Sequence, residues 1–388
     1  MRVERFTRRV PDEVLGDLRE RLARTRWSDA LEGTGWSYGA DVAAIRELAE
    51  YWRTRFDWRA QERAIFAHPH YRATIQDLGI HFVHVRGRGP RPLPLIVTHG
   101  WPGSFLEMLP ILPRLTDPQR HGGDADDAFD VVVPSLPGYG FSDRPRSPGM
   151  NAWRIADLWA ELMGGLGYER FGTQGGDWGA SVSTRLAAAH PSRVVGLHLN
   201  YIPGSYRPDL GPGTRPLSEA EQAFLRDEEA WRREEGAYGD VQRTRPQTLA
   251  IGINDSPAGL LAWIVEKFRA WADCGGDLER RFTKDDLLAN VTLYWVTGTF
   301  PSSIRLYYES ALKPIHFGPG ERVPVPCGVA RFPLEAPFPP RDWVERCYDV
   351  ARWTEMPRGG HFAALEEPDL LAEDIRAFFR PLRRASAG

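Results

Sequence analysis

The sequence predicts an α/β fold: a mostly parallel sheet flanked by helices, with a helical segment inserted before the last strands. Three observations carry this. Short runs rich in β-branched residues end in Gly/Pro turns, as in "LPLIVTHG" (93–100) and "FDVVVPSLPGYG" (129–140), the pattern of strands buried on both faces. Helical periodicity alternates with them, which implies parallel strands joined by right-handed crossovers. The alternation stops over residues 201–316, where only helical patterns occur, and then resumes.

Residues 1–90 form a preface of helices and a first strand, expected to pack on the core. In "PDEVLGDLRERLART", Val14, Leu15, Leu18 and Leu22 share one helix face, and a second helix is expected from Asp41 to Arg55. "GIHFVHVRG" alternates like a strand and is expected to open the sheet. The first part of the core spans 91–200. Its two opening strands are followed by a helix over "MNAWRIADLWAELMGGLG" (150–167) and a strand at "YERFGTQGG". A helix over "GASVSTRLAAAHP" (179–191), stopped by Pro191, and a strand at "VVGLHLN" (194–200) complete it. In the inserted segment, 201–316, Pro257 behind Ser256 starts a helix. Leu260, Leu261, Ile264, Val265, Phe268 and Trp271 then recur at helical spacing. Thr283 with Asp286 three residues on reads as a capping box. The second part of the core, 317–388, contributes strands at 323–332 and 347–356 and a terminal helix from 368 to about 380. The inserted helices would cap the carboxyl ends of the strands, where such sheets bind ligands.

Composition narrows the function. The 388 residues carry a formal net charge of −3, which supplies no attraction for nucleic acid or an anionic membrane. Of 49 basic residues only Lys267, Lys284 and Lys313 are lysines. Cys274, Cys327 and Cys347 are widely spaced and form no zinc pattern, as expected for a reducing compartment without a disulfide framework. "MRVERFTRRVPDE" has no apolar stretch of signal-peptide length, and no run of about 18 apolar residues occurs. A cytoplasmic protein is expected, with no cofactor and no metal.

The chemistry concentrates in three segments expected to meet at the carboxyl edge. "GTQGGDWGAS" (172–181) is the strand–turn–helix layout of a nucleophile elbow, with Asp177 where serine is usual. An Asp before a helix also serves as an N-cap. Gly175, Gly176, Gly179 and Ala180 around it, as a strained elbow requires, and the lack of a GxSxG motif elsewhere favour the nucleophile. "GGHFAALEEP" (359–368) places His361 after the last strand; the order nucleophile, acid, histidine is that of an α/β-hydrolase. "HGWPGSF" (99–105) follows a strand, so the backbone N–H of Trp101 can face that of Trp178 across the nucleophile as an oxyanion hole. His99 reads as structural.

Together these segments resemble the epoxide hydrolases of the α/β-hydrolase superfamily, in the branch typified by the microsomal enzymes. The resemblance spans nearly the whole chain: the preface, "HGWPGSF", the "GGDWG" elbow, the helical insertion and "GGHFAALEEP". Microsomal members carry a membrane-anchoring helix at the N-terminus; this chain begins at the preface. The resemblance implies two tyrosines on the inserted helices. "EEGAYGDVQRTRPQT" is similar to the stretch bearing the first, which puts it at Tyr238. "YWVTGTFPSSIRLYYES" is similar to the stretch bearing the second, which puts it at Tyr307, with Tyr308 adjacent. "FPLEAPFPPRDW" is similar to the acid-bearing loop and puts the acid at Glu335, with Asp342 as the alternative.

What the resemblance implies also answers why a carboxylate replaces serine. An epoxide opens by displacement at carbon, for which a carboxylate is already ionised, while the tyrosines serve the departing oxygen. His361, oriented by Glu335, then activates water against the Asp177 ester, and a vicinal diol leaves. The Trp and Phe content of 231–300 favours an apolar, aromatic or bulky epoxide. Two other readings remain open. A haloalkane or haloacid dehalogenase would use the same Asp and Trp but halide-binding N–H donors instead of tyrosines. An inactive hydrolase fold would bind a hydrophobic ligand as a receptor. The expected partners are a small-molecule epoxide and water, with a homodimer left open; neither nucleic acid nor membrane is expected.

Overall fold

The computed structural model describes residues 1–385. Nine strands form one sheet: β1 (Arg2–Arg5), β2 (His70–Ile75), β3 (Leu78–Val85), β4 (Leu93–Thr98), β5 (Phe129–Pro134), β6 (Phe171–Gly175), β7 (Val194–Leu199), β8 (Val323–Arg331) and β9 (Tyr348–Glu355). Their order is β1-β2-β3-β5-β4-β6-β7-β8-β9. From β5 to β9 every pairing is parallel; β1, β2 and β3 join by antiparallel pairings. Strands β5, β6 and β7 are buried at every residue, which is why none of them alternates between apolar and polar positions.

The sheet opens earlier than expected. Two strands precede "GIHFVHVRG", so the preface holds three strands rather than one. β1 is a four-residue edge, RVER, exposed throughout; a short charged edge strand has no buried face and so no alternation to reveal it. β2 pairs with β3 from His70↔Val83 to Ile75↔Leu78.

Helices α1 (Asp12–Ala23), α2 (Val42–Thr54) and α3 (Trp58–Ile65) belong to the preface. α4 (Leu112–Thr116), α5 (Ala152–Gly165) and α6 (Asp177–Ala189) cross between the central strands. Between β7 and β8 come α7 (Glu219–Glu235), α8 (Ala237–Thr244), α9 (Pro246–Asp255), α10 (Pro257–Trp271), α11 (Lys284–Thr297) and α12 (Phe300–Ala311). α13 (Arg341–Glu345), α14 (Ala363–Glu366) and α15 (Pro368–Ala385) complete the chain. The expected punctuation is present: Ser256 Oγ accepts from Gly259 N–H at 3.0 Å, and Thr283 and Asp286 cap α11 reciprocally. No single helix among the described residues is long and apolar enough to cross a membrane.

The preface helices also grip the inserted helices. Trp52 Nε1 donates to Thr292 Oγ1 at 2.9 Å, Tyr51 OH to Asp285 at 3.0 Å, Lys284 Nζ to Glu47 at 2.8 Å and Arg21 to Asp255 at 2.8 Å. The preface thus buttresses the inserted helices.

Register places the site. Thr98, the last residue of β4, pairs with Gly175, the last of β6, and Gly175 pairs with Leu199, the last of β7. Three loops therefore leave the sheet side by side at one level: His99–Trp101, Gly176–Trp178 and Asn200–Tyr201.

Candidate active site

Strand β6 stops at Gly175 and α6 starts at Asp177, so the chain reverses over Gly176. Asp177 takes the left-handed conformation, φ +47°, which is costly for a residue with a Cβ and persists only where the surroundings impose it. They do so by close packing: a Cβ on Gly179 would fall 1.9 Å from the Thr98 carbonyl oxygen. The N-cap of α6 is Gly176, which leaves the Asp177 carboxylate for other partners. Its Oδ1 accepts from Trp101 N–H at 2.8 Å, and the N–H of Trp178, the next residue, adds to the stabilisation of its charge. Trp101 and Trp178 are thus both placed at the Asp177 carboxylate. Only glycine fits at 100, where a Cβ would lie 2.2 Å from that oxygen. Burial raises the Asp177 pKa, while the His361 charge and the two N–H groups act against the rise.

His361 sits at the start of the turn after β9. Its Nδ1 lies 2.9 and 3.0 Å from the Glu335 carboxylate oxygens, and its Nε2 lies 3.7 Å from Asp177 Oδ2. Burial opposes charge on the ring, but Glu335 first, then Asp177 and Glu107, carry its pKa up to about 9. Glu335 is 4% exposed; burial raises its carboxyl, and His361 counteracts. Asp342 lies instead in the first turn of α13, so Glu335 is the carboxylate on the histidine. His99 is fully buried, its Nε2 accepting from Leu136 N–H at 3.2 Å, and burial lowers its pKa to about 4; it joins two loops, as a structural residue should.

Tyr238 on α8 and Tyr307 on α12 come together above Asp177. Their rings meet edge-on, 6.0 Å apart at 80°. Tyr238 stacks on Trp101 at 5.4 Å and 9°; Tyr307 meets Trp178 edge-on at 4.8 Å. Burial raises both phenol pKa values well above the ordinary range. The negative charge of Asp177 adds to this, as does Tyr238 for Tyr307. Both hydroxyls therefore keep their protons. Tyr308, the neighbouring candidate, is 42% exposed. A cavity of about 390 Å³ is lined by Asp177, Trp178, Tyr201, Tyr238 and Tyr307 and by the partly exposed Arg207 and Arg243.

Other contributors lacked a motif. Tyr201 and Trp271 set their rings 5.9 and 5.0 Å from His361. Glu366 accepts from the N–H groups of Asp273 (2.7 Å), Gly360 (3.0 Å) and Phe362 (2.8 Å). Together with the bond from His361 N–H to Trp271 O at 3.0 Å, this ties the His361 turn to the end of α10. The position of Asn200 and Tyr201 just past a legible strand was the available signal for the first. Glu366, in a charged "EEP", offered none.

Comparison with known proteins gives the family. Residues 3–108 match the family described as "Epoxide hydrolase N terminus" and residues 94–255 match "alpha/beta hydrolase fold". The chain is 46% identical over 375 residues to a Stigmatella aurantiaca protein, covering 96% of this chain and 84% of that one. It is 40% identical to epoxide hydrolase 1 of Oryctolagus cuniculus, over 96% of this chain and 88% of the other. Its structure superposes on juvenile hormone epoxide hydrolase from the silkworm Bombyx mori with a TM-score of 0.84 at 32% identity, over 99% and 95% of the two chains. On sequence, fold and site together, this chain belongs to the epoxide hydrolases of the α/β-hydrolase fold.

Proposed function

We propose that the chain hydrolyses an apolar, aromatic or bulky epoxide to a vicinal diol through an ester on Asp177, with residues 201–316 acting as the cap. The observation that carries this reading is the placement of one strained, ionisable carboxylate between two backbone N–H donors, a Glu-paired histidine and two protonated phenols.

In the first step Asp177 Oδ2 attacks an epoxide carbon, an O–C bond forms and the C–O bond of the ring breaks. The departing oxygen takes a proton from the Tyr238–Tyr307 pair. Esterification removes the Asp177 charge, one of the groups that hold the proton on His361. The histidine then gives that proton up to restore the phenol and becomes a neutral base.

In the second step His361 Nε2 takes a proton from water and the hydroxide adds to Asp177 Cγ. Negative charge develops on the oxygen facing Trp101 and Trp178 N–H. Collapse expels the diol oxygen, which takes the carboxyl proton left on Asp177, and the resting pair of ionised Asp177 and protonated His361 returns. A dehalogenase would leave the phenols above Asp177 without work, which favours the epoxide reading.

The test is His361→Gln with a panel of aryl and alkyl epoxides. Intact-protein mass spectrometry should show an adduct, mapped to Asp177, accumulating with no diol turnover. A folded variant that stays unmodified by epoxides the parent enzyme converts would overturn the scheme.

A further inference from the structure

Beside Asp177, bordered by neither Tyr238 nor Tyr307, lies a second and much smaller cavity of about 10 Å³, room for about one water molecule. Gly100, Glu107, Asp177, Asn200 and His361 all line it. It therefore touches both the atom that water must attack and the base that must deprotonate it, yet two of its polar walls, Glu107 and Asn200, have no part in the scheme above.

One of these side chains is fixed by a hydrogen bond and the other has space made for it. Asn200 Oδ1 accepts from Gln174 Nε2 at 2.8 Å, which fixes the amide and leaves its NH₂ beside Gly176, where a Cβ would fall 2.6 Å from Nδ2. Glu107 projects from the turn of 3-10 helix Phe105–Ile111 that follows "HGWPGS". A Cβ on Gly103 would fall 2.1 Å from Glu107 Oε2, so the loop leaves room for this carboxyl. Among the described residues no hydrogen-bond donor of the protein engages it. Polar groups that line a small cavity without a protein partner are characteristically satisfied by ordered water.

We infer that Glu107 and Asn200 position the hydrolytic water against the Asp177 ester, with His361 as the third contact. The inference rests on the ester scheme proposed above. The water donates one hydrogen to His361 Nε2 and the other to the Glu107 carboxyl, and accepts from Asn200 Nδ2. One lone pair is then left to face Asp177 Cγ. Water oxygen bonds to Cγ as its proton passes to His361; Glu107 orients and takes no proton. The groups around Glu107 suit this role. Burial first, with Asp177, Glu366 and Glu335 adding and His361 opposing, raises its carboxyl to about 8. It thus avoids a further negative charge beside the resting Asp177, and esterification of Asp177 removes one of the charges that keep it protonated.

Glu107→Gln preserves shape and tests the role. Ester formation and ester hydrolysis are followed separately in single-turnover stopped flow, with thermal melts as a folding control. The expected result is hydrolysis slowed about tenfold or more while ester formation stays within about threefold of the parent, so that kcat and KM fall together as the ester accumulates. Hydrolysis within about twofold of the parent, or equal slowing of both steps, would overturn the assignment. If the variant does not fold, a high-resolution crystal structure of the parent enzyme decides. A water bonded to Glu107, Asn200 and His361 supports the role, and no ordered water there removes it. Failure of the ester scheme is distinguishable, because then no ester forms in the parent enzyme or in His361→Gln.

Discussion

Replacing Tyr307 by Phe removes one hydroxyl and little else. The ring that packs edge-on against Trp178 and Trp101 is retained, and Tyr238 keeps its stack on Trp101. What disappears is one of two donors to the oxygen on which charge develops as the ring opens. A hydrogen bond to a charged group is worth about 1.5–3 kcal/mol, which corresponds to about a 10- to 150-fold loss in the rate of ester formation. Tyr238→Phe should behave alike, since each phenol retains the other as a single donor. The double variant should lose far more than either, since no phenol then remains to donate to the departing oxygen. Stability should fall by only about 1 kcal/mol or less in each variant, since the rings and their packing are kept. The assay is stopped-flow tryptophan fluorescence, since Trp101 and Trp178 flank the reacting carboxylate, with thermal melts alongside. Ester hydrolysis should be nearly unchanged. Ester formation at the parent rate in either single variant would remove that tyrosine from the mechanism. A loss in Tyr308→Phe with none in Tyr307→Phe would move the role one residue along.

Glu335→Gln should lower kcat by roughly two orders of magnitude, the scale of impaired general-base catalysis. It should also move the alkaline limb of kcat/KM to lower pH, because Glu335 is the principal group holding a proton on His361. An unmoved limb would detach Glu335 from the histidine's titration. Glu221, fully buried, bonds Arg346 at 2.6 Å, Arg215 at 2.9 Å and Ser218 N–H at 2.8 Å. Burial opposes its charge but these partners prevail and lower its pKa to about 2. A depressed folded pKa stabilises above the unfolded carboxyl value and loses that contribution as pH falls through about 4 towards 2. Glu221→Gln should therefore destabilise by about 3 kcal/mol at neutral pH, and denaturant melts at a series of pH values should show the gap closing on acidification.

Much of this site was legible because its chemistry is anchored at strand ends. Trp101 follows the apolar run of β4, Asp177 follows β6 at a knot of glycines, and His361 comes six residues after the last strand. Glu335 and the tyrosines were reachable only through resemblance. A carboxylate in a Pro-rich loop and two phenols 69 residues apart have no local pattern that separates them from packing residues, and only the packing of α8 against α12 unites them. The edge strand β1 stayed hidden for a physical reason, since four exposed residues have no inside to alternate with. Glu107 lay in plain view eight residues after His99. Its position is informative only once the register of β4, β6 and β7 shows which loops share the cavity beside Asp177.

The ester on Asp177 is the step on which everything else depends, and oxygen labelling reads it directly. With enzyme in excess over a good epoxide substrate, one turnover in ¹⁸O-water should leave the label in the Asp177 carboxylate, found by peptide mass spectrometry, and release an unlabelled diol. Label found in the diol, with Asp177 unlabelled after that first turnover, would mean that water attacks the epoxide itself and that Asp177 forms no ester.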